Sequence, residues 1–158
     1  QHDFATGASG RAQDPAHPLN RSPLNTGPQD LPEGRPAWIF YPYTPSARFP
    51  SMGSGGRTAC AGPFYRFDPK LASTRKLLET FDQSQLIYDW ERRWILAVGV
   101  HPDGSPGSMQ RVAPEIELKR PIEMELGPDG ALYVIEFGSG WEKNKDAQLV
   151  RIQTATVR

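Results

Sequence analysis

From Gly62 onward the chain alternates short β-prone runs with turn signals, a rhythm that few folds accommodate. The runs are Phe64 to Phe67, Gln85 to Trp90, Trp94 to Val100, Met109 to Val112, Ile122 to Leu126, Ala131 to Phe137 and Gln148 to Ile152. Between several of them stand His101-Pro102-Asp103-Gly104, Gly127-Pro128-Asp129-Gly130 and Gly138-Ser139-Gly140, built from residues that tight turns require. Runs joined this way make an antiparallel meander, so the fold class is all-β. One exception is expected. Between Pro69 and Phe81 the spacing of Leu71, Leu77, Leu78 and Phe81, with charged residues between, predicts one short amphipathic helix.

The first third behaves differently. Residues 1–63 hold 18 of the 31 glycines and prolines, and residues 1–36 show no apolar period of 2 or 3.6. Prolines at 15, 18, 23, 28, 32 and 36 stiffen an extended path. Composition alone fits either an ordered loop or a disordered tail. Order is expected from Ala37-Trp38-Ile39-Phe40-Tyr41, an aromatic, β-prone cluster ended by Pro42. The glycine-rich stretch Phe49 to Arg57 lacks the Gly-Lys-Ser/Thr of a phosphate-cradling loop, so its glycines point to a close backbone approach.

Composition excludes several functions. The 18 Lys+Arg balance 18 Asp+Glu, and no basic stripe is present, which argues against nucleic acid. The longest apolar run, Trp94 to Val100, is of strand length rather than membrane-span length. A single cysteine, Cys60, rules out an intrachain disulfide or a cysteine zinc site. Starting at Gln1 suggests a trimmed precursor or part of a longer polypeptide. Glu123 and Glu125, two apart on a strand with Asp129 in the next turn, share one face that can bind a cation, act as an acid/base pair or simply be solvated. No nucleophile and base stand at a recognisable spacing.

Grouped in fours, the runs give one four-stranded antiparallel unit and three strands of a second, the size and pattern of β-propeller blades. The hairpin Arg120-Pro121-Ile122-Glu123-Met124-Glu125-Leu126-Gly127-Pro128-Asp129-Gly130-Ala131-Leu132-Tyr133-Val134-Ile135-Glu136-Phe137-Gly138 resembles those of the glucose/sorbosone dehydrogenase family. Leu86-Ile87-Tyr88-Asp89-Trp90-Glu91-Arg92-Arg93-Trp94-Ile95 is similar to a more specific segment of a bacterial branch of that family. Asn20 to Gly27, Pro36 to Tyr43, Gly53 to Ala59 and Ala61-Gly62-Pro63 match it as well, so the resemblance spans roughly residues 14 to 153. It implies about two blades of a six-bladed propeller, at 62–114 and, lacking a strand, at 120–153. Residues 1–36 would then be an extended Pro-rich loop region and 154–158 a tail.

The resemblance further implies a sugar dehydrogenase that uses pyrroloquinoline quinone (PQQ) with calcium, periplasmic or secreted. The cofactor's three carboxylates suit guanidinium forks. By position, Arg92, Arg93 and Arg120 would face its mouth, each with the alternative of a surface arginine or a partner of Asp89 or Glu91. Trp90 can stack on the cofactor or pack between blades, and Trp141 can stack on a sugar. No catalytic residue is assigned in this chain: His2, His17 and His101 match no catalytic surroundings, and the metal ligands are unknown. Its partners would be the remainder of the propeller, or identical copies completing the ring, and a sugar or polysaccharide. Residues 1–60 folding back would allow a self-contained chain instead. A non-catalytic extracellular module that binds carbohydrate or protein, using Trp38, Phe40, Tyr41 and Tyr43, is the alternative function.

Overall fold

A computed structural model describes residues 3, 5–10, 12–141 and 143–154; His2 and residues 155–158 fall outside them. Two compact units emerge, residues 1–38 and residues 39–158. The first is built of turns. An isolated antiparallel bridge pairs Leu19 with Asp30, and the Asn25 side-chain amide donates to the carbonyls of Asn20, Gly27 and Pro28. A short polar side chain thereby satisfies backbone groups that a proline-rich segment cannot pair in a ladder.

The second unit is mostly β. Strands β1 (Ala59–Tyr65), β2 (Ser84–Asp89), β3 (Trp94–Val100) and β4 (Pro106–Arg111) form an antiparallel sheet in chain order. Strands β5 (Pro121–Leu126), β6 (Leu132–Glu136) and β7 (Gln148–Ile152) form a three-stranded one. Neither closes into a barrel. Register explains the core: Met124, Val134 and Val150 lie opposite one another, as do Leu126, Leu132 and Ile152. With one side chain in two facing each way, this face meets Leu86, Tyr88, Ile95 and Ala97 of the first sheet.

The two sheets approach most closely at Gly62. A Cβ there would lie 2.5 Å from Met124 Sδ, so any larger residue would force Met124 to shift. Nearby, the Tyr88 hydroxyl donates to the Ile122 carbonyl at 2.7 Å. A register shift between Pro121 and Glu123 leaves Ile122 41% exposed, so Ile122 leaves the apolar face on which strict alternation with Glu123 and Glu125 would place it.

The opposite face of β3 is buried too. Trp94, Leu96 and Val98 are covered on the side away from the shared core, where the Tyr41 ring sits 6.1 Å from that of Trp94 and Arg111 Nη2 donates to the Ser51 carbonyl. This explains why Trp94 to Val98 is continuously apolar instead of alternating.

The helix expected at 69–81 is not formed, and among the described residues there is no α-helix; within that segment a 3-10 turn occupies Glu79–Phe81, and another stands at Pro50–Met52. Its backbone is taken up by distant partners. The Leu77 amide donates to the Gly130 carbonyl, the Leu77 carbonyl accepts from the Tyr65 hydroxyl, and the Lys76 carbonyl accepts from Thr154. Ser73 offers its hydroxyl to the Arg75 amide, a local bond that competes with helix formation. No helix here is long and apolar enough to cross a membrane.

This packing has two measurable consequences. Gly62→Ala should destabilise the fold by about 1–3 kcal/mol, read as a lower urea midpoint at unchanged slope, because Met124 must move within a filled core. Burial pushes the hydroxyls of Tyr65 and Tyr88 up to about 12, against about 10 in an unfolded chain. Both favour the neutral form in the folded state, so their contribution is complete below pH ~10 and is lost as pH rises toward ~12. Tyrosinate absorbance of the folded chain should therefore lag behind that of the urea-unfolded chain across this window.

Candidate functional site

Trp90, Arg120 and Trp141 converge at one end of the paired sheets. Arg120 precedes β5 with φ +60°, a left-handed conformation uncommon outside glycine. The hairpin end holds it there: Lys119 and Arg120 carbonyls accept from the Gly138 and Phe137 amides, and the Lys119 amide donates to the buried Glu136 carboxylate at 2.7 Å. Beyond β6 the loop closes on Asp146, which accepts from the Ser139 amide. That backbone bond, with the Ser139 side chain, holds the Asp146 carboxyl below its usual range.

Arg120 is 9% exposed. Its Nη1 donates to the Ser139 and Gly140 carbonyls, while Nε is buried without an acceptor. Its charge is met by rings, 4.8 Å from the Trp90 centroid and 5.0 Å from that of Trp141. The two indoles lie 5.2 Å apart, and Phe137 packs at 5.7 Å from Trp90. Trp141 remains 70% exposed. No carboxylate among the described residues pairs with Arg120.

Arg92 faces elsewhere. Its five N–H donors are all engaged by backbone carbonyls: Nε by Gly56 (2.8 Å), Nη1 by Met52 (2.9 Å) and Gly53 (3.1 Å), Nη2 by Pro42 (2.7 Å) and Gly55 (2.9 Å). The glycine-rich loop thus makes its close approach around an arginine, with Gly53 and Gly55 at positive φ turning their carbonyls inward. Arg93, also at positive φ, is exposed and lines a small apolar cavity with Ile95, Val112 and Leu118.

Other candidates separate as well. Glu123 lies opposite Ile135 and Glu125 opposite Tyr133, both carboxylates exposed. Asp129 accepts from the Ala131 amide within its turn. His17 pairs with the exposed Asp14, and His101 begins an exposed turn. Of the aromatic group, Tyr41 is buried, whereas Phe40 and Tyr43 are exposed. Among the described residues there is no cluster of three or more His, Cys, Asp or Glu side chains placed to hold a metal ion. Two participants are not evident from the residue pattern: Phe137, the last residue of a run otherwise assigned to strand, and Asp89, whose burial a hydrophobic pattern does not signal.

No family model, curated protein or solved structure matches the chain.

The arrangement can stack a flat or ring-shaped ligand on Trp141 and offer it an arginine that pairs with no carboxylate among the described residues. Because Trp141 is exposed and Trp90 is wedged between Arg120 and Phe137, Trp141→Ala should change stability by less than about 0.5 kcal/mol, and Trp90→Ala should cost roughly 2–4 kcal/mol. Urea denaturation of the two variants checks the contrast.

Proposed function

We propose that the chain is the C-terminal portion of a PQQ-dependent sugar dehydrogenase-like propeller, acting outside the cytoplasm, with its catalytic histidine and aspartate contributed by other blades. The four-plus-three strand grouping supports the blade reading. One observation carries the ligand reading: an arginine only 9% exposed, its guanidinium flanked by two indoles and paired with no carboxylate among the described residues. Such a group suits an anionic planar ligand.

The residues fit the cofactor unequally. Arg120 pairs with no carboxylate among the described residues, so it is the side chain that would hold a PQQ carboxylate, with Trp90 and Trp141 against the ring system. Arg92 does not fit, since a ligand carboxylate would have to displace five carbonyls. Arg93 is exposed at the edge of a small cavity that Arg111 also lines, and it takes no part in the Arg120 cluster. When bound, PQQ supplies the quinone that accepts hydride from the sugar. In this proposal the chain's own residues bind and orient, and calcium is held by groups outside the cluster.

The exposure of Trp141 favours a second reading, a non-catalytic carbohydrate-binding module. The complete polypeptide, assayed with PQQ, calcium and an aldose, distinguishes the two. Under the first reading it oxidises the aldose, and Arg120→Gln weakens PQQ binding at least about tenfold, the loss of one charge-assisted contact. Retention on a polysaccharide column with no PQQ binding would establish the second reading and overturn the first.

A further inference from the structure

A second arginine, outside the Arg120 cluster, also pairs with no carboxylate among the described residues. Arg111, at the end of β4, is half-buried, and its guanidinium lies 5.1 Å from the Trp94 ring centroid. Its hydrogen bonding is limited to Nη2 donating to the Ser51 carbonyl at 3.0 Å, so most of its fork has no acceptor among the described residues. No described carboxylate lies within ion-pair distance. Burial holds its pKa below the ordinary arginine value, which is the expected response of a cation removed from water without an anion beside it.

Trp94 adds an independent sign. It is 5% exposed, and its indole Nε1–H is buried without an acceptor. Buried indole donors ordinarily have partners. Arg111 and Trp94 both line an open cavity of about 330 Å3, walled also by the glycine-rich loop, Glu91 and Arg92. Arg92 contributes positive charge while its own donors are engaged. Glu91 is exposed, with its stem against Gly56, and is the single carboxylate residue on the cavity wall.

We propose that this cavity is a binding site for a small oxyanion, a phosphate or carboxylate group, held by the Arg111 fork beside Trp94. An acceptor with two or more oxygens can engage adjacent guanidinium N–H groups and supply the missing negative charge, which neither the ring of Trp94 nor the Ser51 carbonyl provides. The cavity lies at the small end of the range for ligand pockets, suited to an anion or a one-ring compound bearing one. The inference is independent of PQQ, since it uses neither Arg120 nor Trp141.

The test monitors the indole N–H signals of the four tryptophans by NMR while the chain is titrated with inorganic phosphate or with acetate at constant ionic strength. The Trp94 signal should shift saturably with at least one anion; the phosphate and acetate arms tell which oxyanion the site prefers. Arg111→Gln should weaken that binding at least about tenfold. Glu91→Gln, a change at an exposed side chain that spares the fold, should tighten it by removing the opposing charge. Absence of a saturable shift with both anions would overturn the proposal. So would equal binding by a folded Arg111→Gln variant, or Glu91→Gln binding no tighter than the unaltered chain.

Discussion

The second unit depends on a carboxylate and an arginine, close neighbours in sequence, that are not paired with each other through their side chains. Asp89 is fully buried and accepts from the Tyr41 hydroxyl at 2.6 Å, the Thr58 amide at 3.2 Å and the Arg92 amide at 2.7 Å. Three donors are what a carboxylate needs to remain inside a protein. Arg92 turns its fork the other way, into five carbonyls of the 42–56 loop, and lies over the Tyr41 ring at 4.7 Å. Together these bonds fasten a loop with no strand of its own onto the β2–β3 turn. Burial, then the bond to Asp89, pushes the Tyr41 hydroxyl pKa upward, which keeps it a donor.

That attachment places both candidate sites. Trp90 comes directly after Asp89, and its amide donates to the Thr58 carbonyl, so the turn that holds Asp89 also presents Trp90 toward Arg120. On the other side, the same loop covers Trp94 and, with Arg111, walls the oxyanion cavity. Arginines in this unit are met by rings and carbonyls far more than by carboxylates: Arg48, Arg57, Arg92, Arg111 and Arg120 all lie over aromatic faces. A chain of zero net charge therefore carries local positive charge that no ion pair among the described residues neutralises at Arg111 or Arg120, a condition that favours anions.

The strands were legible because alternation and turn residues are local signals. Trp94 to Val100 and Gln148 to Ile152 match their strands end to end, while β1 begins at Ala59, earlier than its first bulky residue, because Ala and Gly carry little β signal. The Pro69 to Phe81 segment failed as a helix for a nonlocal reason, its carbonyls and amides being claimed by Tyr65, Gly130 and Thr154. At the site, Trp90, Arg120 and Trp141 entered through the family resemblance, and their mutual approach has no local sequence signal. What no sequence pattern distinguishes is which arginine keeps a free donor. Arg92 and Arg120 look equivalent until the carbonyls around Arg92 are seen, since backbone acceptors leave no trace in side-chain identity.

One polar attachment, then, holds the loop and sets both candidate sites. Native-state hydrogen exchange of an Arg92→Lys variant tests this most directly, because lysine keeps the charge and loses the fork. The Trp90, Arg92 and Arg93 amides, bonded to Thr58, the Asp89 carboxylate and the Asp89 carbonyl, should lose protection together, while the β6 and β7 amides keep theirs. Unchanged protection at those three amides would contradict the account.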